Sequence, residues 1–290
     1  MVPFRWDVRR REQLGRLLDA PIPNDRDKEY YGWRWPLPGL LNPLRECCAR
    51  VLTGAGDARL VFVGRSPESL FDYLTGALAD TPWADRCDLL SVSLPPEVNA
   101  ALPHALRALR EQHRAFGLHP AAIASAPRPI AFVDLVWKGR TFGQLSAFLS
   151  RWARDEGVDV NAVRRRLRWV GIAVRGKNSP NAWRWFQQLE WAAEYSRRAL
   201  RGVSVTYGLW TYLGDDQVKT MPSNTVDRWG TDDLAHPIHD TERLDALQEA
   251  FRIHHAARQP EERERFAAEL VGRPEMREAW LRSLVVALRR

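Results

Sequence analysis

The chain has 290 residues, 45% of them apolar and 13 of them tryptophan, which is enough for one large core or two modest ones and excludes wholesale disorder. Its formal net charge of +7 is carried far more by arginine than by lysine, a balance that suits phosphate-rich ligands or nucleic acid and says nothing about fold. No apolar run approaches the ~20 residues that cross a bilayer. Residues 1–6 lack the apolar stretch of a signal peptide. Three cysteines, two of them adjacent, make no disulfide framework. A soluble, cytoplasmic protein with no membrane partner is expected.

Residues 1–57 read as an appendage or cap segment. A helix is expected over residues 9–18, then a loop at Pro21-Ile22-Pro23-Asn24-Asp25. Tyr30, Tyr31, Trp33 and Trp35 place four aromatics within six residues. Such a group caps a flat ligand or lies on a core, and the second use is the commoner one. The runs Arg9-Arg10-Arg11 and Arg164-Arg165-Arg166 flank helix-like sequence and read as solvated helix faces.

Regular structure begins near Ala58. Arg59-Leu60-Val61-Phe62-Val63 predicts a buried strand, and Gly64-Arg65-Ser66-Pro67-Glu68 turns it into a helix with Ser66 as N-cap and Pro67 at the first helical position. Leu70, Phe71, Leu74, Ala77 and Leu78 supply the apolar face of that helix. A strand is expected over residues 87–94, closed by Pro95-Pro96. A helix is expected over 97–117, with Leu102, Leu106 and Leu109 apolar at near-helical spacing. Residues 129–136 form an apolar strand interrupted by one acid, Asp134. Lys138-Gly139-Arg140-Thr141 then opens a helix whose apolar residues are Phe142, Leu145, Leu149 and Trp152.

A strand over 167–174 follows. Asn178-Ser179-Pro180 is expected to cap a Trp-rich helix running to about residue 200, and an alternating strand covers 203–213. On that helix Trp183, Trp185, Phe186 and Trp191 could stack nucleobases, but their spacing is also that of a core helix, the favoured reading. From Asp215 the chain turns polar, and three helical stretches follow near 241–258, 260–271 and 274–289. The alternation of strands and helices predicts an α/β fold with a mainly parallel sheet flanked by helices. Right-handed crossovers bring the loops after Val63 and Val136 to one edge, where such sheets bind ligands.

Both loops carry phosphate-friendly chemistry. A glycine turn leading into a helix converges backbone N–H groups on the positive end of the helix dipole. The segment Val133-Asp134 followed by Gly139-Arg140-Thr141 resembles the phosphate-binding signature of the type I phosphoribosyltransferases. In that signature an apolar strand ends in two adjacent acids and leads to Gly-[Arg/Lys]-Thr. Leu135 stands where the second acid would be, and the loop is one residue shorter. Val63-Gly64-Arg65-Ser66 is similar to the family's pyrophosphate loop.

The resemblance covers residues 58–215 and implies a phosphoribosyltransferase-like core, with residues 216–290 as a C-terminal helical extension. It implies 5-phosphoribosyl diphosphate with Mg²⁺ as substrate, and transfer of the ribose phosphate to a nitrogenous base with release of pyrophosphate. Asp134 would be the catalytic residue and would hold a ribose hydroxyl, meeting metal only through water or sugar hydroxyls. The backbone of Lys138, Gly139, Arg140 and Thr141, with the Thr141 hydroxyl, would clamp the 5-phosphate, and Arg65 and Ser66 would meet the pyrophosphate. The partner expected is a phosphorylated ribose compound or nucleotide, and a homodimer is compatible with this reading.

Two alternatives stand beside it: a non-catalytic nucleotide or ribose-phosphate sensor on the same fold, which the missing second acid favours, and a basic nucleic-acid-binding module. Ser66 lacks the paired glycines of a nucleophile elbow. His236-Pro237-Ile238-His239, with Asp232, Asp233 and Asp240, reads as a polar loop rather than a metal cluster, because proline breaks any helical register between the histidines.

Overall fold

A computed structural model describes residues 4, 6–9, 38–175, 184–232, 236 and 241–290. Helix α1 spans Pro38–Ala55 and leads to strand β1, Arg59–Val63. Helix α2 is Glu68–Ala77, β2 is Cys87–Leu90, α3 is Pro103–Ala115 and α4 is Pro120–Ser125. Strand β3, Ile130–Leu135, runs to α5, Arg140–Asp155, and α6, Val160–Arg166, feeds β4, Leu167–Val174. Strand β5 is Leu200–Val205 and is followed by the short helix α7, Tyr207–Thr211, then by a π turn over Tyr212–Asp216. Helices α8, Thr241–Arg258, α9, Pro260–Val271, and α10, Ala279–Leu288, end the chain.

The five strands among the described residues are all parallel, in the order β2-β1-β3-β4-β5. The α/β class with a parallel sheet expected from the alternating elements is therefore present. The near-continuous apolar runs of β1 and β3 follow from burial on both faces. Leu60, Phe62, Ala131 and Val133 join one core with α1, α2 and the C-terminal helices, whereas Val61, Val63 and Phe132 join another beneath α3, α5 and Trp169. The four apolar positions foreseen on α5 (Phe142, Leu145, Leu149 and Trp152) are all buried in the second core. No helix among the described residues is long and apolar enough to cross a membrane. Cys47, Cys48 and Cys87 are free buried thiols, and burial pushes Cys47 and Cys87 up to about 12.

Several elements depart from the sequence expectation. The strand expected over 203–213 begins at Leu200 and ends at Val205, where the Thr206 hydroxyl accepts the Leu209 amide at 3.4 Å and starts α7. Leu209, Tyr212 and Leu213 are the buried apolar positions beyond it, three and four residues from Leu209, and Thr211 is buried between them. Strand β2 stops at Leu90 because the chain beyond it pairs elsewhere: the Ser93 amide donates to the Asn224 carbonyl at 2.9 Å. The helix expected over 97–117 is broken before Pro103, where Leu102 is extended and 64% exposed. The last helix is likewise interrupted at Glu278, between a 3₁₀ turn at Pro274–Arg277 and α10.

The C-terminal helices share the first core. A side chain at Gly76 of α2 would begin 2.2 Å from the His254 carbonyl oxygen, so α8 lies directly on α2 at a glycine. Glu262 of α9 is buried between α1 and α2. It accepts from Arg45 Nη1 at 3.0 and 2.9 Å and from the Tyr73 hydroxyl at 2.9 Å. Removing Arg45 leaves the buried Glu262 carboxylate to the Tyr73 hydroxyl and to the exposed Arg265, whose Nη1 lies 3.5 Å away. Arg45→Ala is expected to cost about 3–5 kcal/mol in urea unfolding, whereas replacing Arg45 and Glu262 together by methionine and leucine restores most of that loss. A single-variant loss under ~1 kcal/mol would show that this triad does not join the helices.

Candidate functional site

Strand β3 ends with Asp134 and Leu135 on opposite faces of the sheet. Asp134 is buried on the α5 side, where Oδ1 accepts the Leu135 amide at 2.8 Å and the carboxyl also bonds the Thr141 hydroxyl. Burial pushes this acid up to about 8 against both hydrogen bonds, so it holds its proton near neutrality. Leu135 turns the other way, half-buried against the core of α1, α2 and α8–α10, with Cδ2 3.8 Å from the point where a Gly214 side chain would begin. The position that a second acid would occupy thus faces away from Asp134.

The turn into α5 is built on Gly139. Its backbone is left-handed, with φ 62° and ψ 18°, and a Cβ there would stand 2.6 Å from Leu189 Cδ1 and 3.1 Å from Trp185 Cε3. Glycine is required for conformation and for space. Its carbonyl accepts the Gly143 amide at 3.1 Å, and as the cap residue it brings no side chain to the helix start. The first N–H groups of α5 therefore have no side-chain acceptor from the cap residue, at the positive end of a 16-residue helix. Lys138 and Arg140 flank the turn with exposed side chains, and the Thr141 hydroxyl links it to Asp134.

The second corner follows β1, the immediate neighbour of β3, so its loop lies at the same carboxyl edge. Gly64 has a positive φ of 77° and its amide donates to the Leu90 carbonyl at 2.9 Å. Arg65 Nη1 donates to the Met221 carbonyl at 3.3 Å. Ser66 is not the N-cap. Helix α2 begins at Glu68, the Pro67 carbonyl accepts the Leu70 and Phe71 amides at 3.1 Å, and no side chain caps it. The helix is anchored instead by Glu68 Oε2, which accepts the Thr220 amide and hydroxyl, both at 2.8 Å. Gln217 Nε2 donates to the carbonyls of Arg65 at 3.0 Å and Ser66 at 2.7 Å. The strand order reverses between β1 and β3, which is where a doubly wound sheet opens a crevice.

The expected Trp-rich helix is absent from the described residues 184–199, which form turns and a 3₁₀ segment, Glu190–Glu194. Asn178, Ser179, Pro180 and Trp183 lie outside the described residues, as do residues 10–18 and 30–35. The large rings dictate the path of residues 184–199. Trp191 meets Trp169 at 5.4 Å, and half-buried Trp185 meets Phe142 at 5.4 Å while its Nε1 donates to the Arg201 carbonyl at 3.0 Å. Trp185 also covers Gly171, where a Cβ would come within 2.5 Å of the indole. A glycine inside an apolar strand is the signal of such a close approach. His239, Asp233 and Asp240 lie outside the described residues, and among those described no three His, Cys, Asp or Glu side chains gather as a metal site.

Asp134 gives the site a pH signature. An unfolded chain releases this proton near the ordinary value of about 3.9, whereas the fold keeps it to about 8. The folded state therefore holds the extra proton between these limits, and the Asp134 contribution to stability falls as pH rises across them. Asp134→Asn should flatten that part of the profile and raise the melting temperature relative to the parent above pH 8. Parallel profiles for the two proteins would mean that Asp134 titrates normally.

No protein-family model, no curated protein and no solved structure matches the chain.

Proposed function

We propose that the crevice between the β1 and β3 loops binds 5-phosphoribosyl diphosphate and that the chain transfers its ribose phosphate to a nitrogenous base, releasing pyrophosphate. The observation that carries this reading is the corner at Gly139. A left-handed glycine that caps the helix start with no side chain of its own, and a hydroxyl bonded to a strand-end acid, stand beside a second basic loop at the switch point of a parallel sheet.

In this reading the α5 amides and the Thr141 hydroxyl take the 5-phosphate, with Lys138 and Arg140 adding positive charge. Asp134 meets a ribose hydroxyl, and Arg65 with Ser66 meets the pyrophosphate. The bond from the anomeric carbon to the diphosphate oxygen breaks with its electron pair leaving on the diphosphate. A ring nitrogen of the base forms the new bond and gives up its proton to water. Positioning and charge stabilisation carry such a step, so no nucleophilic side chain is needed. Asp134 is the strand-end carboxyl at this edge, and its proton is retained near neutrality, so the described residues do not build a resident Mg²⁺ site. Mg²⁺ belongs to the reading as a companion of the diphosphate, and no step is assigned to it.

The inward turn of Leu135 and the protonated state of Asp134 favour a second reading, a sensor that binds the same ligand without turnover. Neither side chain offers an ionised carboxylate to a cationic sugar near neutral pH.

Calorimetric titration with 5-phosphoribosyl diphosphate, with and without Mg²⁺, tests both readings. Thr141→Ala removes a donor to a charged acceptor worth ~1.5–3 kcal/mol, so affinity is expected to drop about tenfold or more while the fold persists. Unchanged affinity in that variant removes the cradle. Ligand binding without pyrophosphate release for any base supplied converts the transferase into the sensor.

A further inference from the structure

Behind the β1 loop runs a chain of oxygen contacts that the anion site itself does not use. Glu249 Oε1 of α8 touches the Tyr212 hydroxyl at hydrogen-bond range, and that hydroxyl lies 3.1 Å from Ser69 Oγ of α2. Ser69 Oγ in turn contacts Gln217 Oε1. The Gln217 amide nitrogen faces three carbonyl oxygens, those of Arg65 at 3.0 Å, Ser66 at 2.7 Å and Leu213 at 3.1 Å. This fixes the orientation of the amide, because the flipped form would set its oxygen against all three carbonyls. Gln217 Oε1 can therefore only accept.

Three oxygen–oxygen contacts need three hydrogens. Ser69 supplies one and Tyr212 another, its phenol kept protonated by burial. A carboxylate at Glu249 leaves the Ser69–Tyr212 contact without a hydrogen, whereas a carboxylic acid completes the chain: Glu249 donates to Tyr212, Tyr212 to Ser69, and Ser69 to Gln217. We propose that Glu249 carries a proton in the folded protein and that the chain through Tyr212, Ser69 and Gln217 is a proton-dependent tether that positions the β1 loop. Gln217 is the positioning residue, since it grips the carbonyls of Arg65 and Ser66.

The surroundings of Glu249 agree with the hydrogen count. Burial raises it to about 7, with Glu68 of α2 acting in the same direction, while Tyr212, Lys219 and Arg252 of α8 act against it. Lys219 is itself lowered to about 8 by burial and donates to the Leu213 carbonyl at 2.7 Å, and Asp72 of α2 faces Tyr212. Loss of the proton turns the Tyr212 hydrogen toward Glu249 and releases Ser69, so α8 lets go of the loop as pH rises through about 7. The use of this tether in controlling an anion rests on the proposed function above, but the tether itself can be tested with no ligand present.

Carboxyl NMR of the unmodified protein should show Glu249 titrating near pH 7, and the backbone amides of Gly64, Arg65, Ser66, Glu68 and Ser69 should shift with the same midpoint. Glu249→Gln, whose amide can donate to Tyr212 permanently, should abolish that titration in the loop. It should match the parent in stability at pH 5 and exceed it at pH 8.5. Tyr212→Phe should silence the loop amides while Glu249 still titrates. A Glu249 midpoint below pH 5, loop amides that shift unchanged in Glu249→Gln, or a Gln variant less stable at both pH values would each overturn the proposal. Inorganic pyrophosphate then separates the two ideas. No binding at any pH removes the anion site and leaves the NMR result standing, whereas binding whose pH profile is identical in parent and Glu249→Gln denies the tether its role at the site.

Discussion

Covering both faces of a parallel sheet leaves polar chemistry only its edges. Here α3–α6 lie over one face, and α1, α2 and the C-terminal helices lie over the other, so the strand interiors are apolar on both sides. Asp134 belongs to a strand of this kind. It lies one residue short of the carboxyl end, on a covered face, and its remaining polar partners are the Leu135 amide and the Thr141 hydroxyl. The same burial that makes β3 a central strand therefore decides the protonation of its single acid. Chemistry at the edge inherits its pH range from packing in the middle.

Close packing also explains where the tryptophans went. Gly171 and Gly139 remove two side chains from the α5 side of the sheet edge, and the Trp185 indole occupies that space. Phe142, Trp169, Trp191 and Tyr195 continue the ring contacts at separations of 5.3–5.8 Å. All but the tilted Phe142–Trp169 pair are edge to face, a geometry in which rings gain from one another beyond their buried area. A helix would direct such side chains around its axis, whereas turns and a 3₁₀ segment lay them along one surface.

What could be read in advance follows from how local each signal is. Strands β1 and β4 and the buried stripe of α5 were legible because runs of apolar residues and three-four spacing are properties of short segments. The end of β5 was not, since Val203 to Leu213 satisfies an alternating pattern until Thr206 supplies a hydrogen bond that begins a helix. Ser66-Pro67 has the composition of a helix start, yet Glu68 and Gln217 shift it through contacts to residues about 150 positions away. The Gly139 turn was legible as a glycine between a strand and a helix. Its walls, Leu189 and Trp185, come from another part of the chain. The state of Asp134 had one local hint, an acid inside an apolar run, but protonation depends on what covers that run.

The two corners at the carboxyl edge are built on different principles. The hydrogen bonds of the β3 corner are short-range: Asp134, Gly139, Thr141 and Gly143 close it within ten residues, and Leu189 and Trp185 only wall it. The β1 corner is held from outside, by Met221 on Arg65, by Gln217 on the loop carbonyls and by Thr220 on Glu68. Those residues follow the π turn, a helical irregularity of the kind often found at functional sites, and Tyr212 of that turn is joined to α8. The change of composition near Asp215 thus marks no gap in the packing, because one hydrophobic cluster runs from α1 to α10. A local corner keeps its shape whenever the sheet is folded. A corner held by a distant segment can change shape while the sheet stays intact, and it is the one through which the C-terminal helices can act on the edge.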